Sequence, residues 1–172
     1  LAIDSSTARG SVALLENDRP IFEKEFGRDQ LFGALPPTSP DQIVVGVGPG
    51  SFTGIRAGIA AAKGLALPRR VPIVPACSFD AIALTALPGM PRDCPQLCVL
   101  CDGRREEVYF AMYDRQGRRT GDCRLGALET IEVHNPIWFV SPEIERFALR
   151  ETFGGFASVC ETPVFPRAAL FR

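Results

Sequence analysis

Histidine is almost absent. The single one in 172 residues, His134, excludes every site that needs two imidazoles. Lysine is nearly as scarce, with Lys24 and Lys63 against 17 arginines, a bias that fits genome composition as well as anion recognition. The formal net charge of −1 gives no charge excess of the kind that marks a stand-alone nucleic-acid or membrane-surface binder. No apolar run approaches the roughly 20 residues of a membrane span. Six cysteines are too few for a disulfide scaffold, so a reducing cytoplasm is the expected location. The length is also short of the about 250 residues of a TIM barrel. It suits one domain or two small lobes, with ordinary soluble composition at 46% hydrophobic and 23% charged residues.

The chain opens on a short apolar run, Leu1-Ala2-Ile3, that ends at Asp4. A polar turn over Ser5 to Gly10 leads to strand character over Ser11 to Leu15, and Asn17-Asp18 turns into a third strand over Pro20 to Phe26. Leu31 to Leu35 reads as one helical turn stopped by Pro36-Pro37. Ile43 to Val47 is a continuous β-branched run of the kind buried on both faces of a sheet. A glycine-rich turn from Gly48 to Gly54 precedes a helix over Thr53 to Leu67 that Pro68 stops. Val71 to Val74 reads as a strand, and Ser78 as the N-cap of a helix over Phe79 to Leu87.

Pro88-Gly89-Met90-Pro91 is the expected lobe boundary, which gives lobes over 1–90 and 91–172, the second smaller or incomplete. Leu97 to Cys101 and Glu107 to Tyr113 read as strands around the turn Asp102 to Arg105. The succession of strand, Asp, polar turn and strand around Asp4 is thus echoed around Asp102, a hint of duplication.

The stretch Val45 to Arg56 runs from a buried strand through glycines into a helix N-terminus, where unpaired amides favour an anion. Known fingerprints fail there. The phosphate loop needs Lys after its last glycine, and here Ile55 follows Gly54. G-x-G-x-x-G meets Ser51 or Thr53 at its final position, and G-x-S-x-G fails at Pro49. Two readings stand: a tight turn capped by Ser51 or Thr53, or a direct ligand contact.

Cys94, Cys98 and Cys101 have iron–sulfur spacing, but Cys98 and Cys101 lie three apart in an apolar strand and point to opposite faces, so no cluster or other metal site is expected. His134 reads as a solvated loop residue. Glu106 and Glu107 are adjacent and form no facing pair. Arg104-Arg105 beside Asp102 reads as a charged turn first and an anion clamp second.

The run Gly48-Pro49-Gly50-Ser51-Phe52-Thr53-Gly54-Ile55-Arg56 resembles the bacterial TsaB (YeaZ) family. Leu1 to Thr7, Ser11 to Leu14, Ala62 to Ala66 and Asp102 to Tyr109 resemble further motifs of that family in the same order. The resemblance implies an α/β, actin-like and Hsp70-like (ASKHA) fold of two RNase-H-like lobes. It further implies a non-catalytic, dimerisation subunit in the formation of N6-threonylcarbamoyladenosine at position 37 of tRNAs reading codons that begin with A.

The implied partners are a catalytic paralogue, TsaD, and an ATPase, TsaE, with tRNA reached through the complex and a homodimer when the chain is alone. No cofactor of its own is implied, ATP being handled by the partners. Asp4, Ser6, Thr7, Gly48, Pro49, Gly50 and Ser51 form the motif turn, where a weak anion or nucleotide contact is expected. A kinase-like ATPase or a glycoprotease-like member of the same superfamily is the alternative. Relatives carry a full helix where only Asp29 to Pro40 stands here. A break in the backbone is therefore expected between Gly27 and Pro40, near Arg28 to Gln30.

The helix after the glycine turn shows only Arg56 and Lys63 as polar side chains beyond Thr53, seven residues apart on one stripe. An outer helix normally turns a broad charged face to water. With the family's helix-to-helix dimer, this marks Thr53, Gly54, Arg56, Ala57, Ala60, Ala61, Lys63 and Gly64 as a partner interface. A helix buried between the sheet and loops of one lobe is the other reading.

Overall fold

The computed structural model describes residues 1–27 and 29–171. It separates into two units: Leu1–Ala81 with the segment from Pro166 onward, and Ile82–Phe165. The division differs from a boundary at Pro88 to Pro91 in two ways. It falls inside a helix, and the end of the chain returns to the first unit.

The first unit contains β1 (Ala2–Asp4), β2 (Gly10–Glu16), β3 (Arg19–Phe26), α1 (Leu31–Ala34), β4 (Ile43–Gly46), α2 (Phe52–Ala66), β5 (Ile73–Ala76) and the start of α3 (Ser78–Ala86). Its sheet runs β3-β2-β1-β4-β5, antiparallel from β3 to β1 and parallel from β1 to β5. Both edges are made unattractive for further pairing. β3 is studded with Arg19, Glu23, Lys24 and Glu25, and β5 carries Pro75. β5 begins two residues later than the apolar run suggests: Ile73 is the first residue in register with β4, and Pro72 before it has no amide to extend the ladder.

Alternation along the central strands gives the sheet two unlike faces. Ile3 lies opposite Val12 and, with Ile43 and Val45, forms a branched surface on which Ala61, Ala62 and Ala66 of α2 pack. Ala2 lies opposite Ala13 on the other face, and with Ala81 leaves room for Ala168 and Phe171 of the returning segment. That segment is stitched by Ser11, whose buried hydroxyl donates to the Pro166 carbonyl and accepts from the Ala168 amide, both at 2.8 Å. Arg167 adds a two-pronged ion pair with Glu23, at 3.0 and 2.6 Å.

α1 is a single turn, as expected. The break expected between Gly27 and Pro40, near Arg28 to Gln30, involves a residue outside the described ones; beside it, the Gly27 amide donates to Gln30 Oε1 at 3.1 Å.

The second unit holds β6 (Gln96–Arg104), β7 (Glu107–Asp114), β8 (Arg124–Ala127), β9 (Ile137–Val140), α4 (Leu149–Phe153) and β10 (Ala157–Val159). Its sheet order, β8-β7-β6-β9-β10, repeats that of the first unit strand for strand: third, second, first, fourth, fifth. The pairing senses repeat too. This is the two-lobe, actin-like arrangement, and it explains the echo of Asp4 in Asp102. The core gathers Cys98, Leu100, Phe110, Ile137, Phe139 and Leu149, with Phe153 stacked on Phe139 at 5.1 Å. Among the described residues no helix is long and apolar enough to cross a membrane.

Candidate functional site

The glycine turn between β4 and α2 sits against the β1–β2 loop, and Asp4 is the centre of the contact. Its carboxylate is fully buried. Oδ1 accepts from the Ser6 amide at 2.8 Å and the Ser6 hydroxyl at 2.7 Å. Oδ2 accepts from the Ser78 hydroxyl at 2.6 Å, and Ser78 Oγ in turn accepts from the Gly48 amide at 3.1 Å. Ser78 was expected to cap α3; its side chain instead ties the start of that helix to Asp4. Burial pushes the Asp4 carboxyl above the usual carboxylate range, and the bonds from Ser78 and Ser6 pull against that shift.

The loop also seats α2. The Ser51 amide donates to the Ser6 carbonyl at 2.6 Å, and the Ser5 hydroxyl donates to the Gly54 carbonyl at 2.8 Å. Ser51 has extended backbone and its hydroxyl accepts from the Gly54 amide at 3.3 Å, so it is the N-cap of α2. Two glycines are demanded by close approach. A Cβ at Gly46 would overlap the Asp4 carboxylate, and one at Gly54 would overlap the Ser5 carbonyl. Gly48 has φ +93°, and the Gly48–Pro49 peptide is cis.

Asp4, Ser6, Gly48, Pro49, Gly50 and Ser51 lie together where the β1–β2 loop meets the glycine turn. Thr7 stands at the edge of this contact and donates to the Arg9 carbonyl at 2.7 Å. What the residues do there is bind one another. Among the described residues no buried side-chain nitrogen or oxygen lacks a hydrogen-bond partner, so Asp4 and Ser6 aim no free group outward. The Ser51 cap belongs to the turn-and-cap reading; the bonds among Asp4, Ser6 and Ser78 lie outside it. Ser5 and Ser78 are the members missed in the sequence, since only the folded chain shows what their hydroxyls meet.

Asp102 occupies the matching position in the second unit with a different environment. It is half-buried, accepts from the Arg104 amide at 2.8 Å and pairs with Arg146 at 2.8 Å. The turn beyond it, Arg104 to Glu106, has positive φ throughout. Cys98 and Cys101 are buried in β6, and burial pushes both thiols upward, which suits core residues. His134 is exposed in a bend. Among the described residues no group of three or more His, Cys, Asp or Glu is placed to hold a metal ion.

On α2 the expected interface divides. Thr53, Arg56, Ala57, Ala60, Lys63 and Gly64 are exposed. Ala61 is not: at 4% exposure it packs in the core under the helix, one residue out of phase with Ala60. Gly54 is half-buried against Ser5. Two large apolar residues not foreseen, Phe52 at 72% and Leu67 at 80% exposure, bracket the same face. Arg56 lies over the Phe52 ring, 5.2 Å from its centre.

Residues 33–164 match the family described as TsaD: tRNA N6-adenosine threonylcarbamoyltransferase. A protein of Haemophilus influenzae named as the tRNA threonylcarbamoyladenosine biosynthesis protein TsaB is 31% identical, over 70% of this chain and 56% of its own length. An uncharacterised protein of Mycobacterium tuberculosis is 35% identical over 75% of this chain and 54% of its own. The chain thus spans about half the length of these curated relatives. The solved structure of YeaZ from Pseudomonas aeruginosa superposes with a TM-score of 0.80 at 23% identity, covering 98% of this chain and 86% of that one. With the duplicated sheet order and the glycine turn locked on Asp4, these likenesses place the chain in the TsaB/YeaZ family, within the wider family described by TsaD.

Proposed function

We propose that this chain is the non-catalytic partner subunit of the complex that forms N6-threonylcarbamoyladenosine at position 37 of tRNAs reading codons that begin with A. Its role is to support a TsaD-like catalytic paralogue. The observation that carries this reading is the contrast between a closed site and an open face. Where the fold offers a loop for phosphate, the Asp4 carboxylate is consumed by Ser6 and Ser78, and the Ser6 carbonyl by the Ser51 amide. Meanwhile α2 presents a low surface of Ala57, Ala60 and Gly64 bracketed by Phe52 and Leu67. Small residues let a second helix approach to the near end of the usual range, about 8 Å.

In this reading the partner helix seats on Thr53, Arg56, Ala57, Ala60, Lys63 and Gly64. A second copy of the chain takes the place when the paralogue is absent. ATP is handled by the paralogue and a TsaE-like ATPase, tRNA is reached through the assembly, and the location is cytoplasmic. No observation favours a kinase-like or glycoprotease-like activity.

The test is co-purification with the TsaD-like paralogue. A stoichiometric complex that Ala60→Glu abolishes supports the proposal. A wild-type chain that fails to associate, or an isolated chain that itself modifies tRNA, overturns it.

A further inference from the structure

The partner reading leaves open how α2 selects the paralogue over a second copy of itself, and the charges on the helix bear on that choice. Between Asp41 and Asp80 the sequence holds four cations, Arg56, Lys63, Arg69 and Arg70, and no acidic residue. Arg56 and Lys63 are exposed on α2, and neither takes part in an ion pair among the described residues. The helix therefore offers uncompensated positive charge beside its apolar seam.

Position matters as much as sign. Taking Ala60 as the middle of the exposed face, Arg56 lies four residues toward the N-terminus and Lys63 three toward the C-terminus. At 1.5 Å per residue these are about 6 Å and about 4.5 Å along the axis. Around an antiparallel two-fold axis near Ala60, Arg56 of one copy comes level with Lys63 of the other, and the reverse contact repeats it. The two sites also lie on the same rim of the helix, within 20° of one another at 100° per residue, so the like charges meet on one side of the seam. A helix bearing carboxylates at those two levels pairs with both cations instead, and like-charge juxtaposition suppresses the wrong occupant.

We propose that Arg56 and Lys63 are specificity-determining residues of α2, selecting an acid-bearing partner helix over a second copy of this chain. The proposal rests on α2 being the partner face.

The experiment measures pairing by sedimentation equilibrium for the wild-type chain, for Arg56→Glu/Lys63→Glu, and for an equimolar mixture. Thermal unfolding serves as the control for folding, and Lys63→Glu alone is the milder variant. At about 50 mM salt, where the Debye length exceeds 10 Å, the mixture is expected to pair at least tenfold more tightly than either chain with itself. The advantage should shrink at about 0.5 M salt. The double variant should bind the TsaD-like paralogue at least tenfold more weakly than wild type at unchanged melting temperature. A mixture that pairs no more tightly than wild type, or a paralogue that binds both forms alike, overturns the assignment. A wild-type chain that ignores the paralogue refutes the proposed function, while the mixed pair still decides the charge assignment.

Discussion

Replacing Asp4 by alanine tests whether the closed site is structural. The substitution leaves three buried donors without an acceptor: the Ser6 amide, the Ser6 hydroxyl and the Ser78 hydroxyl. An orphaned buried donor costs about 1–3 kcal/mol. Hydroxyl rotation and the release of a buried charge offset part of that sum, so a loss of about 3–5 kcal/mol is expected, against a typical total of about 5–15 kcal/mol. Asp4→Asn keeps an acceptor for both Ser6 bonds and should lose about 1–2 kcal/mol.

The pH dependence follows from the raised carboxyl. The folded chain holds the Asp4 proton more tightly than the unfolded chain, whose carboxyl titrates near pH 3.9. Stability from this group is therefore full below about pH 4 and is lost as pH rises through the folded value. Wild type should accordingly lose its advantage over Asp4→Asn as pH rises above about 4. Urea unfolding across that range measures both effects. An alanine variant within 1 kcal/mol of wild type, or an Asn penalty that grows with pH, refutes the reasoning.

Adjacent alanines on α2 should behave oppositely. Ala61→Glu buries a charge in the core and should unfold the first unit, whereas Ala60→Glu should melt as wild type does and lose partner binding; circular dichroism with a pull-down separates the two. A Cβ on Gly54 meets the backbone of Ser5, so Gly54→Ala should cost about 2 kcal/mol in chemical unfolding, in the range of overpacked cores. Thiol titration of the native chain should leave Cys94, Cys98 and Cys101 unmodified, and all six should react after denaturation. Ser11→Ala removes both buried bonds to the returning segment. Proteolysis near Pro166 should then accelerate, with a stability loss of about 1–3 kcal/mol.

Much of the first unit is legible in the residues. The strands around Asp4, the β-branched run of β4 and the helix closed by Pro68 are local patterns, and the echo around Asp102 foretells the repeated sheet order. The second unit reads poorly past Gly117 because β8, β9 and β10 have only three or four residues each, too few for a period to show. The lobe boundary is hidden for a different reason. Pro88 to Pro91 is a strong local break, yet the end of the chain returns to β2 through Ser11, a contact spanning 155 residues. The site was half visible. The glycines announce a close approach but do not say to what, and Ser78 looks like a helix cap until its hydroxyl is seen on Asp4. On α2, a stripe of alanines and glycines defines no inner face by itself, and only the packing against Ile3 and Val45 separates Ala61 from Ala60.

The most direct test of the account is a reconstituted reaction. Unmodified tRNA is incubated with threonylcarbamoyl adenylate, the TsaD-like paralogue and the TsaE-like ATPase, with and without this chain, and N6-threonylcarbamoyladenosine is quantified by mass spectrometry. The account predicts multiple turnovers only when the chain is present, and none from the chain alone. Equal product without it would contradict the claim that this protein is the subunit its paralogue requires.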